Sequence, residues 1–289
     1  MNIILGASGQ VGSQIVANLL SKGEPVTAVI RDEKKAENLI QSGAKVAVAD
    51  NLDLNALKKA FEKADTVFLL TPESGADEDV LGKTKLVLEN YLNALKSSSV
   101  KRLVGLSSIG AQHSEGTGNL LMSYMLENAF SDLDIPQIFV RPAYYMSNWL
   151  PYADSVKETG TLPTFFPEDF AISMISPEDV AQFIAEVMIA DESLTSKVYE
   201  LYGPAKYTPD DVASEFSKIL NTQVKAQQIP RKDWSKTLES LKFSEDGIEK
   251  FIEMTEAVIE GKAKAQKTGV VEKKGQTTLS EYFRSELRT

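Results

Sequence analysis

The chain has 289 residues, 43% apolar and 25% charged, the balance of a globular protein with room for one large core or two smaller ones. Its 41 acidic residues against 31 basic ones leave a net charge of −10, which argues against nucleic acid and anionic membrane surfaces as partners. The absence of Cys excludes a disulfide framework, a thiolate nucleophile and cysteine–metal ligation, and a single His leaves little scope for a His-based metal site or triad, so no metal is expected.

The opening segment is the most informative. Met1 to Leu5 is a short apolar strand that runs directly into Gly6-Ala7-Ser8-Gly9-Gln10-Val11-Gly12. Glycine at every third position permits a tight turn, approach of the backbone to a pyrophosphate, and close helix–strand packing. Val11, Ile15, Val16, Leu19 and Leu20 then share one helix face, and Gly23 stands where the helix should stop. Val26 to Ile30 completes a βαβ unit, so the turn is expected to present its amides and a helix dipole to a dinucleotide phosphate.

Arg31 follows that second strand directly, where an acidic residue would bind the ribose 2′-hydroxyl of NAD and a guanidinium suits the 2′-phosphate of NADP. Lys34 or Lys35 offers a second cation, and NADP(H) is expected in preference to NAD(H); Asp32 is the competing ligand for a ribose hydroxyl. Strands are expected over Lys45–Ala49, Thr66–Leu70, Arg102–Leu106 and Gln137–Val140, with helices over Leu54–Lys63, Glu78–Lys96 and Asn119–Phe130. This alternation predicts an α/β fold with a doubly wound parallel sheet of the Rossmann kind, with ligands at the carboxyl ends of its strands.

Beyond Arg141-Pro142 the composition changes. Residues 143–175 are rich in aromatics, Pro and Gly and are expected as loops over a pocket. Pro177-Glu178-Asp179 and Pro209-Asp210-Asp211 read as helix starts, Ile248 to Ile259 as a further helix, and Lys262 to Lys274 as a solvated surface segment. The division expected is a dinucleotide-binding domain over 1–150 and a smaller C-terminal α/β substrate lobe over 151–289, with residues near 176–190 packing back on the first. No stretch reads as a membrane span, and the first strand begins at residue 2 with no leader-like segment, so a cytoplasmic protein is expected.

These features together resemble the NmrA-like group of atypical short-chain dehydrogenases/reductases. The likeness continues through Val48-Ala49-Asp50-Asn51-Leu52-Asp53, Ala64-Asp65-Thr66-Val67-Phe68, Ser107-Ser108, and Ile135-Pro136 leading to Arg141-Pro142-Ala143-Tyr144-Tyr145-Met146 and Asn148. It ends with Asp179-Val180-Ala181 and Thr278-Leu279, Glu281-Tyr282, so it spans essentially the whole chain. The resemblance implies that Gly6, Ala7, Ser8, Gly9, Gln10, Val11 and Gly12 hold the pyrophosphate. Arg31 and Lys35 then hold the extra phosphate, and Asp50 and Asn51 edge the adenine. Leu70, Thr71 and Pro72 line the ribose nearest the nicotinamide, and Pro142 with Tyr144 shapes the nicotinamide pocket.

The catalytic pair of short-chain dehydrogenases, a helical Tyr with Lys four residues on, is missing from every expected helix. The resemblance places the family's lysine at Ser123 and its Tyr or His partner at Asn119. Ser107 and Tyr124 are the remaining candidates for carbonyl contact and proton donation, and Ser108 is an alternative to Ser107. Tyr145, Trp149, Phe166 and His113 are candidate substrate contacts; a solvated loop histidine and ordinary packing are the competing readings. The family implies NADPH-dependent reduction of quinone-like or azo-like small molecules, whose reduced anions tolerate the lack of an acid. The alternative is a non-catalytic NADP(H)-sensing regulator with a protein partner; an epimerase-like role is weakest, since it also needs the missing pair. Either a monomer or a homodimer fits.

Overall fold

The computed structural model describes residues 1–190 and 197–287. The chain runs through β1 (Asn2–Ile4), α1 (Gln10–Ser21), β2 (Val26–Ile30), α2 (Ala36–Gln41), β3 (Lys45–Val48), α3 (Leu54–Phe61), β4 (Thr66–Leu70), α4 (Val80–Lys96), β5 (Arg102–Leu106), α5 (Leu120–Asn128) and β6 (Gln137–Pro142). There follow β7 (Tyr144–Tyr145), a 3-10 helix over Met146–Tyr152, α6 (Ala153–Thr159), β8 (Thr161–Thr164), β9 (Ile172–Ile175), α7 (Pro177–Ile189) and β10 (Lys197–Tyr202). The last elements are β11 (Lys206–Tyr207), α8 (Pro209–Leu220), β12 (Lys225–Gln228), α9 (Trp234–Ser240), α10 (Glu245–Ile259), β13 (Val270–Lys274) and α11 (Leu279–Leu287).

The large sheet has the order β13-β10-β6-β5-β4-β1-β2-β3 and every pairing in it is parallel. Strand order reverses between β1 and β4, so the loops after these two strands open a crevice at their carboxyl ends. One face of the sheet is covered by α1, α2 and α7 and the other by α3, α4 and α5, giving two apolar layers centred on Ile4, Val104 and Val180 and on Leu69, Tyr91 and Leu103. In the second half of the chain β10 and β13 complete this sheet and α7 packs on α1, while β7, β9 and β11 form a three-stranded sheet and β8 and β12 a pair. Among the described residues no helix is long and apolar enough to cross a membrane.

The helix starts are encoded locally. Ser176 accepts from the Asp179 amide ahead of Pro177, and Thr208 with Asp211 closes a reciprocal capping box around Pro209. Asp79 accepts from the Gly82 amide, which is why α4 begins at Val80 rather than at Glu78. The far end of α7 is held from the sheet: Arg102 donates to the carbonyls of Val187, Met188 and Ala190 at 3.2, 3.1 and 2.8 Å, placing positive charge at the helix C-terminus.

Two expectations are corrected. Lys262 to Lys274 is not wholly a solvated segment, because Val270–Lys274 pairs with β10 as the sheet's edge. An edge strand needs hydrogen bonds on one side only, and its exposed charges suit that place. Residues 143–175 are not simply loops; they carry β7, α6, β8 and β9, elements of two to seven residues whose burial comes from packing on distant segments.

Beneath the carboxyl edge of the sheet lies a buried ionic cluster. Arg141 on β6 makes a two-pronged contact to Glu127 on α5, at 2.7 and 2.6 Å, and reaches Gln266 at 2.8 Å and Glu200 on β10 at 3.5 Å. Ser107 donates to Glu127 and Tyr202 donates to Glu200, which satisfies the carboxylates in a site that water hardly reaches. The two Glu127 bonds and the neighbouring carboxylates outweigh desolvation and raise the Arg141 pKa further. A buried charge stripped of its partner is costly, so Glu127→Ala is expected to lose about 3–5 kcal/mol of stability in urea unfolding. A loss below about 1 kcal/mol would contradict a buried, interdependent cluster.

Candidate functional site

The glycine turn sits at the crevice. Gly6 has φ of +62°, and a Cβ there would stand 2.8 Å from Leu70 Cδ2, so the ends of β1 and β4 meet at this residue. The Gly9 amide donates to the Gly6 carbonyl at 2.9 Å, and the first helical bond of α1 runs from the Ser13 amide to the Gly9 carbonyl at 2.9 Å. The amides of Gln10, Val11 and Gly12 precede that bond, and no side chain caps the helix. Ala7 is fully buried, whereas Ser8 and Gly9 face solvent. A Cβ on Gly12 would lie 2.2 Å from the Gly6 carbonyl oxygen, so the turn closes only on a bare α-carbon.

Arg31 and Lys35 are exposed beside this turn, and neither has an ion-pair partner among the described residues. Asp32 is engaged locally: its carboxylate accepts from the Lys34 amide at 3.0 Å and caps a 3-10 turn over Glu33–Lys35. Asp50 accepts from the Leu52 amide at 2.8 Å, and the Asn51 carbonyl is held by Asn90 at 3.0 Å, which fixes the turn after β3. Gln10 ties the glycine turn to the rest of the chain, accepting from Ser147 at 2.9 Å and donating to Tyr282 on α11 at 3.3 Å.

From the turn a cleft of about 1340 Å³ extends over the carboxyl ends of β4, β5 and β6. Gln10, Leu70, Thr71, Ser107, Pro142, Tyr144, Tyr145, Trp149 and Phe166 all line it. Its aromatic wall is built from ring contacts: Tyr144 meets Phe166 edge-on at 5.7 Å between ring centres and Trp149 at a tilt at 6.0 Å, and Phe166 stacks on Phe170 at 5.8 Å. The other residues of the glycine turn, with Arg31, Lys35, Asp50, Asn51 and Pro72, lie outside the cleft lining. Ser107 gives its proton to Glu127, so only its lone pairs face a ligand.

Asn119 and Ser123, one turn apart at the start of α5, both line the cleft. Tyr124 does not, because one residue along a helix rotates the side chain by about 100°. His113 is also outside the lining, its ring against the Gln112 amide at 3.2 Å. Tyr202 and Lys206 have the Tyr-x-x-x-Lys spacing and border the cleft, but they lie on β10 and β11, not on one helix face, and the Tyr202 hydroxyl is bonded to Glu200 at 2.8 Å.

Sequence reasoning missed Glu73. It stands in the loop after β4, on the cleft wall, and accepts from Asn119 Nδ2 at 3.0 Å. Glu73 is an exposed residue of this loop, yet the protein packed around its carboxyl desolvates it and raises its pKa against the opposing effect of the Asn119 bond. A lone acid in a strand-to-helix loop has no spacing signature; only its pairing with Asn119 marks it.

Three buried polar atoms on the cleft wall have no hydrogen-bond partner among the described residues: Tyr145 Oη, Trp149 Nε1 and Asn119 Oδ1. Burial pushes the hydroxyl pKa values of Tyr144 and Tyr145 above their usual range, so both rings stay neutral. Buried polar atoms left single are unusual in folded proteins.

Comparison with known proteins places this geometry. The NmrA-like family model matches residues 2–285. The chain is 27% identical over 243 residues to quinone oxidoreductase 2 of Escherichia coli strain K12, covering 83% of this chain and 82% of that one. It is 26% identical over 227 residues to the NAD(P)H azoreductase of Xenophilus azovorans, covering 78% and 76%. The solved structure of the E. coli NADPH-dependent quinone oxidoreductase in complex with NADPH superposes with a TM-score of 0.81 at 25% identity, covering 100% of both chains.

Alanine in place of glycine inside a helix ordinarily adds stability, by about 1 kcal/mol. Gly12→Ala is expected to do the reverse here, losing about 1–3 kcal/mol in thermal unfolding, because the methyl meets backbone that cannot yield. An unchanged or raised melting temperature would contradict the close packing of the turn.

Proposed function

The chain belongs to the NmrA-like family, and we propose that it is an NAD(P)H-dependent oxidoreductase that prefers NADPH and reduces planar aromatic acceptors of the quinone or azo kind. The observation that carries this reading is the aromatic cleft wall with two unpartnered buried donors, Tyr145 Oη and Trp149 Nε1, opening onto the glycine turn. The family relationship supports the chemistry, since named relatives at 26–27% identity are a quinone oxidoreductase and an azoreductase.

The residues present fit the dinucleotide. The amides at the start of α1 offer donors and a helix dipole to its pyrophosphate, in a cradle that a Cβ on Gly12 would fill. Arg31 and Lys35, which have no ion-pair partner among the described residues, offer cations for a 2′-phosphate, and the Asp32 carboxylate caps the 3-10 turn beside them. Asp50 and Asn51 edge the adenine end, Leu70, Thr71 and Pro72 follow the second ribose, and Pro142 and Tyr144 bound the nicotinamide. When bound, the reduced nicotinamide supplies hydride. The chain positions the acceptor: Tyr144, Trp149 and Phe166 hold its ring, and the Tyr145 and Trp149 donors fix its heteroatoms.

Two measurements test this. Titration calorimetry should find NADPH bound more tightly than NADH, and Arg31→Ala should weaken NADPH about 10–100-fold, the worth of a charge-assisted contact, with little effect on NADH. Equal affinities in the parent protein would remove the NADPH preference. Loss of reduced-nicotinamide absorbance with a panel of quinones and azo dyes should saturate, and Trp149→Phe should raise KM while keeping the ring. Tight binding without oxidation across the panel would favour the sensing role.

A further inference from the structure

Asn119 opens α5 from the N-cap position, yet its side chain makes no cap bond. Asparagine there ordinarily satisfies a helix amide. Here Nδ2 donates instead to Glu73 Oε1 at 3.0 Å, and both residues line the cleft. Asn119 is 8% exposed, and its Oδ1 is buried with no donor among the described residues. Glu73 also has no ion pair among the described residues that would hold it ionised.

The loop bearing Glu73 is fastened from outside. The Gly75 carbonyl accepts from the Ser244 amide at 2.8 Å, and a Cβ on Gly75 would meet the Phe243 ring at 2.4 Å. The Val80 amide, at the start of α4, donates to Asp246 on α10 at 2.7 Å. The same α10 receives the Asn119 amide at the Lys250 carbonyl, at 3.2 Å, so one helix positions both partners. The charged groups around them are otherwise engaged: Lys83 with Asp77 at 2.6 Å, Lys250 with Glu249 at 3.2 Å, and Glu127 with Arg141. Glu260, Lys264 and Lys206 stand elsewhere on the cleft wall.

We propose that Glu73, held by Asn119, is the proton donor of the reductive reaction, replacing the Tyr–Lys pair that this chain lacks. The proposal rests on the hydride-transfer reading above. A neutral quinone or azo acceptor needs one hydride and one proton: the hydride brings both electrons and leaves an anion. The Glu73 O–H bond then breaks as an O–H or N–H bond forms on the acceptor, and water restores the carboxyl proton through the open cleft. Desolvation raises the carboxyl pKa, so donation is available below that raised value and fades as pH climbs through it.

The test is Glu73→Gln, which preserves an acceptor for Asn119 Nδ2 and removes the proton. Infrared difference spectra of the cofactor-free protein should show a protonated carboxyl band that titrates above the ordinary range in the parent protein and is absent from E73Q. In turnover, kcat for a neutral quinone should fall about 100-fold in E73Q and lose the limb that declines with rising pH, with NADPH affinity unchanged. A cationic dye that becomes neutral on hydride addition needs no proton, so its loss should be much smaller. A carboxyl that titrates normally, or equal losses for neutral and cationic acceptors, would overturn the proposal. A parent protein that binds NADPH but reduces no acceptor would instead overturn the hydride-transfer reading, and proton delivery with it.

Discussion

The contact on which the rest depends is the closure of the glycine turn on itself. Gly12 leaves so little room at the Gly6 carbonyl that a Cβ would sit at 2.2 Å, and Gly6 itself lies against Leu70 from the neighbouring strand. This brings the start of α1 onto the switch point between β1 and β4, aiming its free amides into the crevice. A wider turn would move the helix axis and its dipole off the crevice.

The second organising element is the Arg141 cluster. It joins β6, α5, β10 and the segment at Gln266, and its members lie just beneath the cleft floor formed by Ser107 and Pro142. Sheet and C-terminal segments are thus bound through one buried guanidinium, a bidentate arrangement that lysine could not reproduce. The cleft is correspondingly composite: its walls come from loops after the parallel strands, from β7 and the 3-10 helix, and from α10. The Gln10 bonds to Ser147 and Tyr282 fasten the phosphate end of the site to the same C-terminal segments.

Much of this was legible in the chain itself, wherever the signal is local. The βαβ unit, the strands from Thr66 and Arg102, and the helices opening at Pro177 and Pro209 are written in periodicity and capping residues a few positions apart. Asn119 and Ser123, where the family pattern puts the pair this chain lacks, both line the cleft. What escaped was non-local. Val270–Lys274 is a strand only because β10 lies beside it, and the two-residue strands β7 and β11 exist only through β9. Glu73 escaped for the same reason: its character comes from a residue 46 positions away. Tyr124 and His113 stand close in sequence to lining residues, but helix rotation and loop path carry them out of the lining.

The central claim is that the glycine turn from Ser8 to Gly12, with the free amides of Gln10, Val11 and Gly12 and with Arg31 beside it, grips an NADP phosphate backbone. Amide and guanidinium resonances of the isotope-labelled protein, followed during NADPH titration, test it most directly. The account predicts that the largest shifts fall on the backbone amides of residues 8–12 and on Arg31 Nε, and that NADH moves the former but leaves Arg31 nearly still. Shifts confined to other regions, with the glycine turn unmoved at saturation, would contradict it.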